Sequence, residues 1–299
     1  DTEPGLLDHP SIMSQRAGQV VAPLGSNTRR LFVAANGDLV VDGEDRSRLS
    51  IDAPPDVRPA AIGNGTHVIY GDVTERYKHG ALGDTLEPSS LVVVDPMEPK
   101  VVARTVLDAP VVFEGLQPLV ADLDGDGEPE IVTTIADSER GARIAIYSSA
   151  GKHIATGPVH GPGWRHQLVA APFGPDGVTE LAAVLKPHVT RELEYYRLAD
   201  GELNVRATVD GVSSHVYGSR NLGGAIAADL DTDGAVELLV PATDRHRLLA
   251  VARTSSAAQI QWEWDLGAQL TSTITGVALD DGGIAVGAAT ANEVFIWSS

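Results

Sequence analysis

The chain has 299 residues, of which 43% are hydrophobic, and it carries a formal net charge of −19. A chain of this length and composition buries a large core, and all-β folds of this size often form one domain. The negative charge argues against nucleic acid and anionic membranes as partners. The chain has no cysteine and hence no disulfide. No apolar run is long enough to cross a bilayer, so we expect no membrane insertion.

A repeated segment runs along the chain and predicts its architecture. Six copies of a turn next to a short apolar strand begin near residues 20, 58, 118, 168, 225 and 275. Their spacing of roughly 40–60 residues is typical of four-stranded propeller blades. No stretch shows sustained helical periodicity. We therefore predict an all-β fold, a β-propeller of six four-stranded blades, in a single domain over residues 1–299.

The two ends of the chain are expected to close the ring. The last copy stops after its third strand, at Trp297. Because an unclosed ring exposes strand edges, we expect residues 1–17 to supply the missing strand. Seven blades are the alternative, since the interval between residues 58 and 118 is long enough to contain another. Residues 71–90 in that interval are predicted to form a long loop between the second and third strands of blade two. Such a loop is either functional or a flexible insertion.

Two of the six copies contain an unusually acidic turn. Residues 121–132 place aspartates at alternate positions, followed by a glycine and then by a glutamate three residues later. Residues 228–239 repeat this order. Three carboxylates this close together repel one another unless a cation lies between them. Hard oxygen ligands at this density suit calcium. The alternative is a pair of acidic hairpin turns without metal.

The acidic turns do not match an EF-hand. That motif needs a bidentate glutamate at the twelfth loop position and a helix on each side. Here the twelfth positions are Thr133 and Val240. The apolar run beside each of them is typical of a buried strand.

The acidic turns resemble the FG-GAP or VCBS repeat of integrin-α-type β-propellers. The resemblance lies in the order Asp122-Leu123-Asp124-Gly125-Asp126-Gly127-Glu128-Pro129-Glu130 and its second copy. It implies a structural Ca²⁺ in each loop, between the first two strands of a blade. The ligands would be four side chains and one backbone carbonyl. The implied sites are Asp122, Asp124, Asp126, Glu130 and the carbonyl of Glu128, and Asp229, Asp231, Asp233, Glu237 and the carbonyl of Ala235.

The fourth copy keeps the hairpin pattern but lacks part of the predicted ligand set. Asp176 and Glu180 occupy the fifth and ninth positions, whereas Pro172 and Gly174 replace the first two aspartates. We expect this blade to bind no calcium.

Polar and aromatic residues are predicted to collect on the face opposite the acidic hairpins. The densest segments are two consecutive inter-blade loops, residues 160–166 and 213–220. Such groups around a concave opening suit a polar or anionic ligand. The alternative is that any loop-rich face collects polar residues. No catalytic residue can be assigned from spacing. The candidate ligand-binding residues are His160, Trp164, Arg165, His166, His188, His215, Tyr217 and Arg220.

We expect a monomeric, calcium-stabilised β-propeller that binds a protein or a carbohydrate. One alternative is an enzyme of the polysaccharide-lyase kind, acting on an acidic glycan through the His-, Tyr- and Arg-rich face. Another is the structural head of a larger surface protein. Asp1 is an unusual first residue, so we expect a mature or trimmed fragment. Calcium loops favour a secreted, periplasmic or cell-surface location.

Overall fold

A computed structural model of the chain shows a series of small antiparallel sheets. It describes residues 22–23, 30–43, 45–63, 65–280 and 282–298. The strands are β1 (Ala22–Pro23), β2 (Arg30–Val33), β3 (Asp38–Asp42), β4 (Ser47–Ser50), β5 (Ala60–Gly63), β6 (Thr66–Thr74), β7 (Glu87–Asp95), β8 (Lys100–Val106), β9 (Val112–Ala121), β10 (Glu130–Ala136), β11 (Arg143–Ser148), β12 (His153–Thr156), β13 (Arg165–Ala171), β14 (Glu180–Leu185), β15 (Glu192–Ala199), β16 (Glu202–Asp210), β17 (Ile226–Ala228), β18 (Glu237–Pro241), β19 (Arg247–Arg253), β20 (Ala258–Asp265), β21 (Thr275–Ala278), β22 (Ile284–Ala289) and β23 (Val294–Ser298).

Consecutive strands pair within each sheet, so each sheet is an antiparallel meander that follows the chain. We name the six sheets blades 1 to 6. The first five contain four strands each, β1–β4, β5–β8, β9–β12, β13–β16 and β17–β20, and the sixth contains β21–β23. This arrangement confirms the predicted all-β propeller fold. Among the described residues, blade 2 is followed directly by β9, with no further sheet in the interval proposed for a seventh blade.

Blade 6 has three strands among the described residues, as the sequence indicates. The strand expected to complete it falls within residues 1–17, which lie outside the described residues. Closure of the ring by that strand stays a prediction. The described residues also contain no helix long and apolar enough to cross a membrane.

Apolar side chains between neighbouring blades form the core. The central strands of each blade are buried on both faces, which explains their continuous runs of valine, isoleucine and leucine. Each core cluster contains residues of consecutive blades, so the blades pack face to face in chain order. Between blades 2 and 3, for example, the rings of Tyr70 and Phe113 stack with their centroids 5.6 Å apart.

The long interval in blade 2 contains more strand than the sequence suggested. β6 continues to Thr74 and β7 begins at Glu87, so the connecting loop comprises residues 75–86. The predicted position of this loop, between the second and third strands of its blade, is confirmed.

Candidate metal sites and ligand-binding face

Each acidic hairpin brings three carboxylates to one point. The hairpins join β9 to β10 in blade 3 and β17 to β18 in blade 5. In each, one oxygen from each of three carboxylates lies within 4.8 Å of the other two. The groups are Asp122, Asp124 and Glu130, and Asp229, Asp231 and Glu237.

Backbone N–H groups fix the first aspartate of each loop. In blade 3, the N–H groups of Gly125 and Gly127 donate to the two oxygens of Asp122 at 2.7 and 3.0 Å. Both glycines have positive φ, at 78° and 90°, so the chain curls tightly around this carboxylate. Blade 5 places Thr232 where blade 3 has Gly125, and it takes the same left-handed backbone, with φ at 65°. A β-branched residue is strained in that conformation, so blade 5 holds its loop at a higher conformational cost.

The glutamate that ends each loop is buried. It accepts a hydrogen bond from the loop backbone and also belongs to the three-carboxylate group. Glu130 accepts the N–H of Leu123 at 2.8 Å, and Glu237 accepts that of Leu230 at 2.9 Å. These bonds fix the loop against the first residue of the second strand. Burial, followed by repulsion from the three aspartates of its loop, raises the pKa of each glutamate. Both loops therefore concentrate negative charge that a cation would stabilise.

The remaining predicted ligands are not part of these three-carboxylate groups. The carboxylate of Asp126 accepts the N–H of Glu128 at 2.8 Å, and Asp233 accepts the N–H of Ala235 at the same distance. The structure thus brings together three of the four predicted carboxylates in each loop. Coordination by Asp126, by Asp233 and by the two backbone carbonyls stays a prediction.

Blade 4 fills the corresponding position with an arginine side chain. Arg197 on β15 contacts both oxygens of Asp176, at 2.8 and 2.9 Å, and reaches Glu180 at 2.9 Å. Arg253 of blade 5 holds the other oxygen of Glu180 at 2.8 Å. A Cβ added to Gly174 would lie 2.5 Å from the guanidinium of Arg197, so a larger residue here would require this ion pair to shift. In the blade that we expect to lack calcium, the guanidinium of Arg197 supplies the positive charge beside these carboxylates. The turn pattern alone did not predict this arginine.

Half of the predicted ligand-binding face is buried. Trp164, His166 and His215 are 3%, 3% and 5% exposed, whereas Tyr217 is 63% exposed. The rings of Trp164 and His166 stack at 4.8 Å, and His215 meets Trp164 at 4.8 Å. His188 also belongs to this cluster. The centroid of its ring lies 4.7 Å from that of His215 and 5.3 Å from that of Tyr217. Five of the eight candidates therefore form one aromatic cluster, although most of it lies beneath the surface.

The aromatic cluster has hydrogen-bonding atoms with no partner among the described residues. They are Nε1 of Trp164, Nδ1 of His166 and Nε2 of both His188 and His215. Burial, followed by the neighbouring histidines, lowers the pKa of His166 far below its usual value. Burial, followed by the charges of His188 and Arg245, lowers the pKa of His215 to about 3. These imidazoles are neutral at physiological pH, so each nitrogen acts as a donor or an acceptor according to its tautomer.

Arg165, a predicted ligand-binding residue, does not lie on an exposed surface. Its side chain is fully buried and pairs with Glu194, with Nε at 3.0 Å from Oε2. It also donates to the carbonyls of Ala142 and Pro158. Arg165 therefore links blade 4 to blade 3. His160 lies next to this buried ion pair. Its side chain is 43% exposed, and its Nε2 lies 3.8 Å from Oε1 of Glu194.

The loop of residues 75–86 extends from blade 2 to the segment that connects blades 4 and 5. The carbonyl of Ala81 accepts the N–H of Gly218 at 2.9 Å. Arg220, a predicted ligand residue, forms ion pairs with Asp84 of this loop and with Asp56. These contacts join blade 2 to a segment that is distant from it in the sequence. Arg220 is thus tied to the loop.

A cluster of acid–base groups includes a residue of the same loop, and no sequence motif predicts this cluster. Nδ1 of His79 lies 2.6 Å from Oε1 of Glu114, whose side chain is 3% exposed. The hydrogen bond to Glu114 raises the pKa of His79, against the effect of burial. Burial, followed by the charges of Glu114, Asp84 and Asp56, raises the pKa of Glu87 to about 9. Glu87 is therefore protonated at neutral pH.

Replacing Glu87 with glutamine should change the pH dependence of stability. With its pKa raised from 4.5 to about 9, Glu87 binds a proton more tightly in the folded than in the unfolded protein. Its contribution is complete below pH 4.5 and is lost as pH rises through about 9. Glu87→Gln stays neutral, so the variant should be more stable than the parent above pH 9. Urea unfolding midpoints across this range measure the difference. The exposed Glu202→Gln is the matched control, and parallel profiles for Glu87→Gln and the parent would contradict the assignment.

Solved structures with a similar fold include two rhamnogalacturonan lyases. The exotype rhamnogalacturonan lyase YesX matches with a TM-score of 0.51 and 15% identity, covering 87% of this chain and 53% of the lyase. The rhamnogalacturonan lyase PL11 of Bacillus licheniformis matches with a TM-score of 0.50 and 13% identity, covering 89% and 56%. This chain spans about half the length of either lyase, and likeness at this identity shows the propeller fold alone. No protein-family model and no curated protein sequence matches the chain.

Proposed function

We propose that this chain is a calcium-stabilised β-propeller that acts outside the cytoplasm as a binding module for a glycan or a protein. The observation that carries the proposal is the pair of acidic hairpins, each with three carboxylates within 4.8 Å of one another. Their resemblance to the FG-GAP or VCBS loop supports the same conclusion. An extracytoplasmic location follows from the metal, because calcium is abundant there.

The chemistry of the hairpins fits calcium better than other common cations. Calcium takes six to eight oxygen ligands in flexible geometry, which a curled loop of carboxylates and carbonyls supplies. Magnesium demands near-ideal octahedral geometry, and zinc favours nitrogen and sulfur ligands. The described residues place no histidine in either group, and the chain has no cysteine. When bound, the ion would neutralise the loop charge and hold the first two strands of the blade together.

A calcium titration by calorimetry tests the proposed sites. The protein should bind two ions, and Asp124→Ala and Asp231→Ala should each reduce the stoichiometry to one, because each removes a carboxylate from one group. Asp176→Ala in blade 4 is the matched control and should leave two sites, since Arg197 already pairs with that carboxylate. An unchanged stoichiometry in either test variant would refute the corresponding site.

An enzyme of the polysaccharide-lyase kind is the second candidate, and the acid–base cluster of His79, Glu87 and Glu114 favours it. A protonated carboxyl next to a His–Glu pair can donate and accept protons. The cavity beside Glu87 has a volume of about 10 Å³, which holds no sugar unless the loop of residues 75–86 moves. The test is ultraviolet absorbance of an unsaturated product from a panel of acidic glycans. Product that disappears with Glu87→Gln would favour the enzyme, and binding without turnover would favour the module.

A further inference from the structure

One cavity of about 430 Å³ lies among the first strands of blades 2, 3 and 4. Its walls come from β5, β9 and β13, and the segment before β17 of blade 5 completes it with Leu222 and Gly223. Three blades and the segment before blade 5 therefore contribute to one cavity. The volume is at the lower end of the range for small-molecule sites, roughly 300–1,000 Å³. A space of this size suits a small molecule better than a folded partner.

Three polar groups that line the cavity have buried atoms without a partner. They are Nε of Arg58, Nε1 of Trp164 and Nδ1 of His166, none of which has a hydrogen-bond partner among the described residues. The first two can only donate a hydrogen bond, and the third can donate in one tautomer. Buried donors without partners cost free energy, and a ligand that accepts their hydrogen bonds removes this cost.

The charge of the cavity wall is the reverse of that of the whole protein. The chain has 41 acidic residues against 22 lysines and arginines. None of the described residues lining this cavity is acidic, and Arg58 is the one charged side chain among them. Two glutamine amides, Gln117 and Gln167, add polar groups, and leucine side chains supply apolar surface. A site of this composition favours an anion with hydrogen-bond acceptors on a compact, partly apolar body.

We propose that this cavity binds a small carboxylate, such as a sugar acid, with the carboxylate facing Arg58, Trp164 and His166. The inference rests on the proposed role of the protein as a binding module and specifies the ligand class. It also moves the binding site from the exposed loop residues to the wall of this cavity. Trp164 and His166 belong both to the predicted ligand-binding residues and to the lining of this cavity, where their rings stack.

Calorimetric titration of the protein in millimolar calcium tests the ligand class. The probes are acetate, lactate and glucuronate, and glucose serves as the neutral match of glucuronate, with hydroxymethyl in place of carboxylate. We expect saturable binding of at least one carboxylate and none of glucose. Absence of saturable binding for all three carboxylates, or equal binding of glucose and glucuronate, would overturn the proposal.

Two variants locate the binding in the cavity. Trp164→Phe keeps an aromatic ring but removes the N–H, and Arg58→Met keeps the length of the side chain but removes the charge. Each should weaken carboxylate binding roughly tenfold or more, because each removes a hydrogen bond to a charged group. Trp262→Phe, on the outer strand β20, is the matched control and should bind as the parent does. Unchanged affinity in both test variants would refute this location.

Two further measurements keep the test decisive. If Trp164→Phe does not fold, Arg58→Met carries the test, because Arg58 is only half-buried. Calcium stoichiometry is measured separately on the same samples. Two bound calcium ions without carboxylate binding would refute the cavity proposal alone. Carboxylate binding without calcium would refute the calcium proposal alone.

Discussion

Removal of calcium by a chelator is expected to lower the melting temperature of the protein by about 10 °C or more. A ligand that binds only the folded state adds about 2.7 kcal/mol per site when its free concentration is 100 times the dissociation constant. Two sites at that saturation contribute about 5 kcal/mol, and each kcal/mol corresponds to roughly 2–4 °C in a protein of about this size. The physical cause is the set of three carboxylates in each hairpin, which repel one another when no cation is bound. Differential scanning calorimetry with and without chelator measures the shift.

The arginine of blade 4 provides the internal control for this experiment. Arg197 neutralises Asp176 and Glu180 without any metal, so Arg197→Ser should lower the melting temperature equally in calcium and in chelator. Asp124→Ala and Asp231→Ala should each make the protein less sensitive to the chelator, because each removes one site. A parent protein whose melting temperature does not respond to the chelator would contradict structural calcium in both hairpins.

The parts of the fold that depend on local pattern could be predicted from the sequence. Short apolar runs next to turn residues placed the blades, and the alternate aspartates placed both acidic hairpins. Contacts between distant segments could not be predicted in this way. Arg197 on β15 reaches Asp176 in the preceding hairpin turn, and the loop of residues 75–86 reaches Gly218 in the segment between blades 4 and 5. Such contacts depend on how the strands pair and how the blades are arranged around the propeller. No turn motif or hydrophobic period in the sequence predicts either.

Burial was the other property that sequence position alone did not reveal. The segment of residues 160–166 has the pattern of a polar loop between blades. That pattern predicts a surface position for Arg165. In the structure β13 begins at Arg165 itself, so the side chain enters the interface between blades 3 and 4. Glu194, its partner, lies on β15 and has no sequence signal that links it to Arg165. Trp164 and His166 flank the same strand end, which is why the candidates of this segment are mostly buried.

The buried pair of Arg165 and Glu194 should be among the most sensitive positions of the protein. Arg165 has no exposed side-chain surface, and Glu194 accepts from two of its nitrogens and from the hydroxyl of Tyr196. Glu194→Gln leaves the guanidinium without its counter-charge inside the interface. Breaking a buried ion pair by removing one partner costs about 3–5 kcal/mol. We expect a loss of this size in the free energy of unfolding, measured by urea denaturation in calcium.

A double variant separates the cost of an isolated charge from the value of the pair. Arg165→Met combined with Glu194→Gln removes both charges, so it should be less destabilising than the sum of the two single variants. Recovery should be incomplete, because the carbonyls of Ala142 and Pro158 lose the guanidinium that donates to them. Arg247→Met, whose ion pair with Glu263 is exposed, is the matched control and should change stability by about 1 kcal/mol or less. Single-variant losses that simply add would show that the two side chains act independently and would refute the pair as the link between blades 3 and 4.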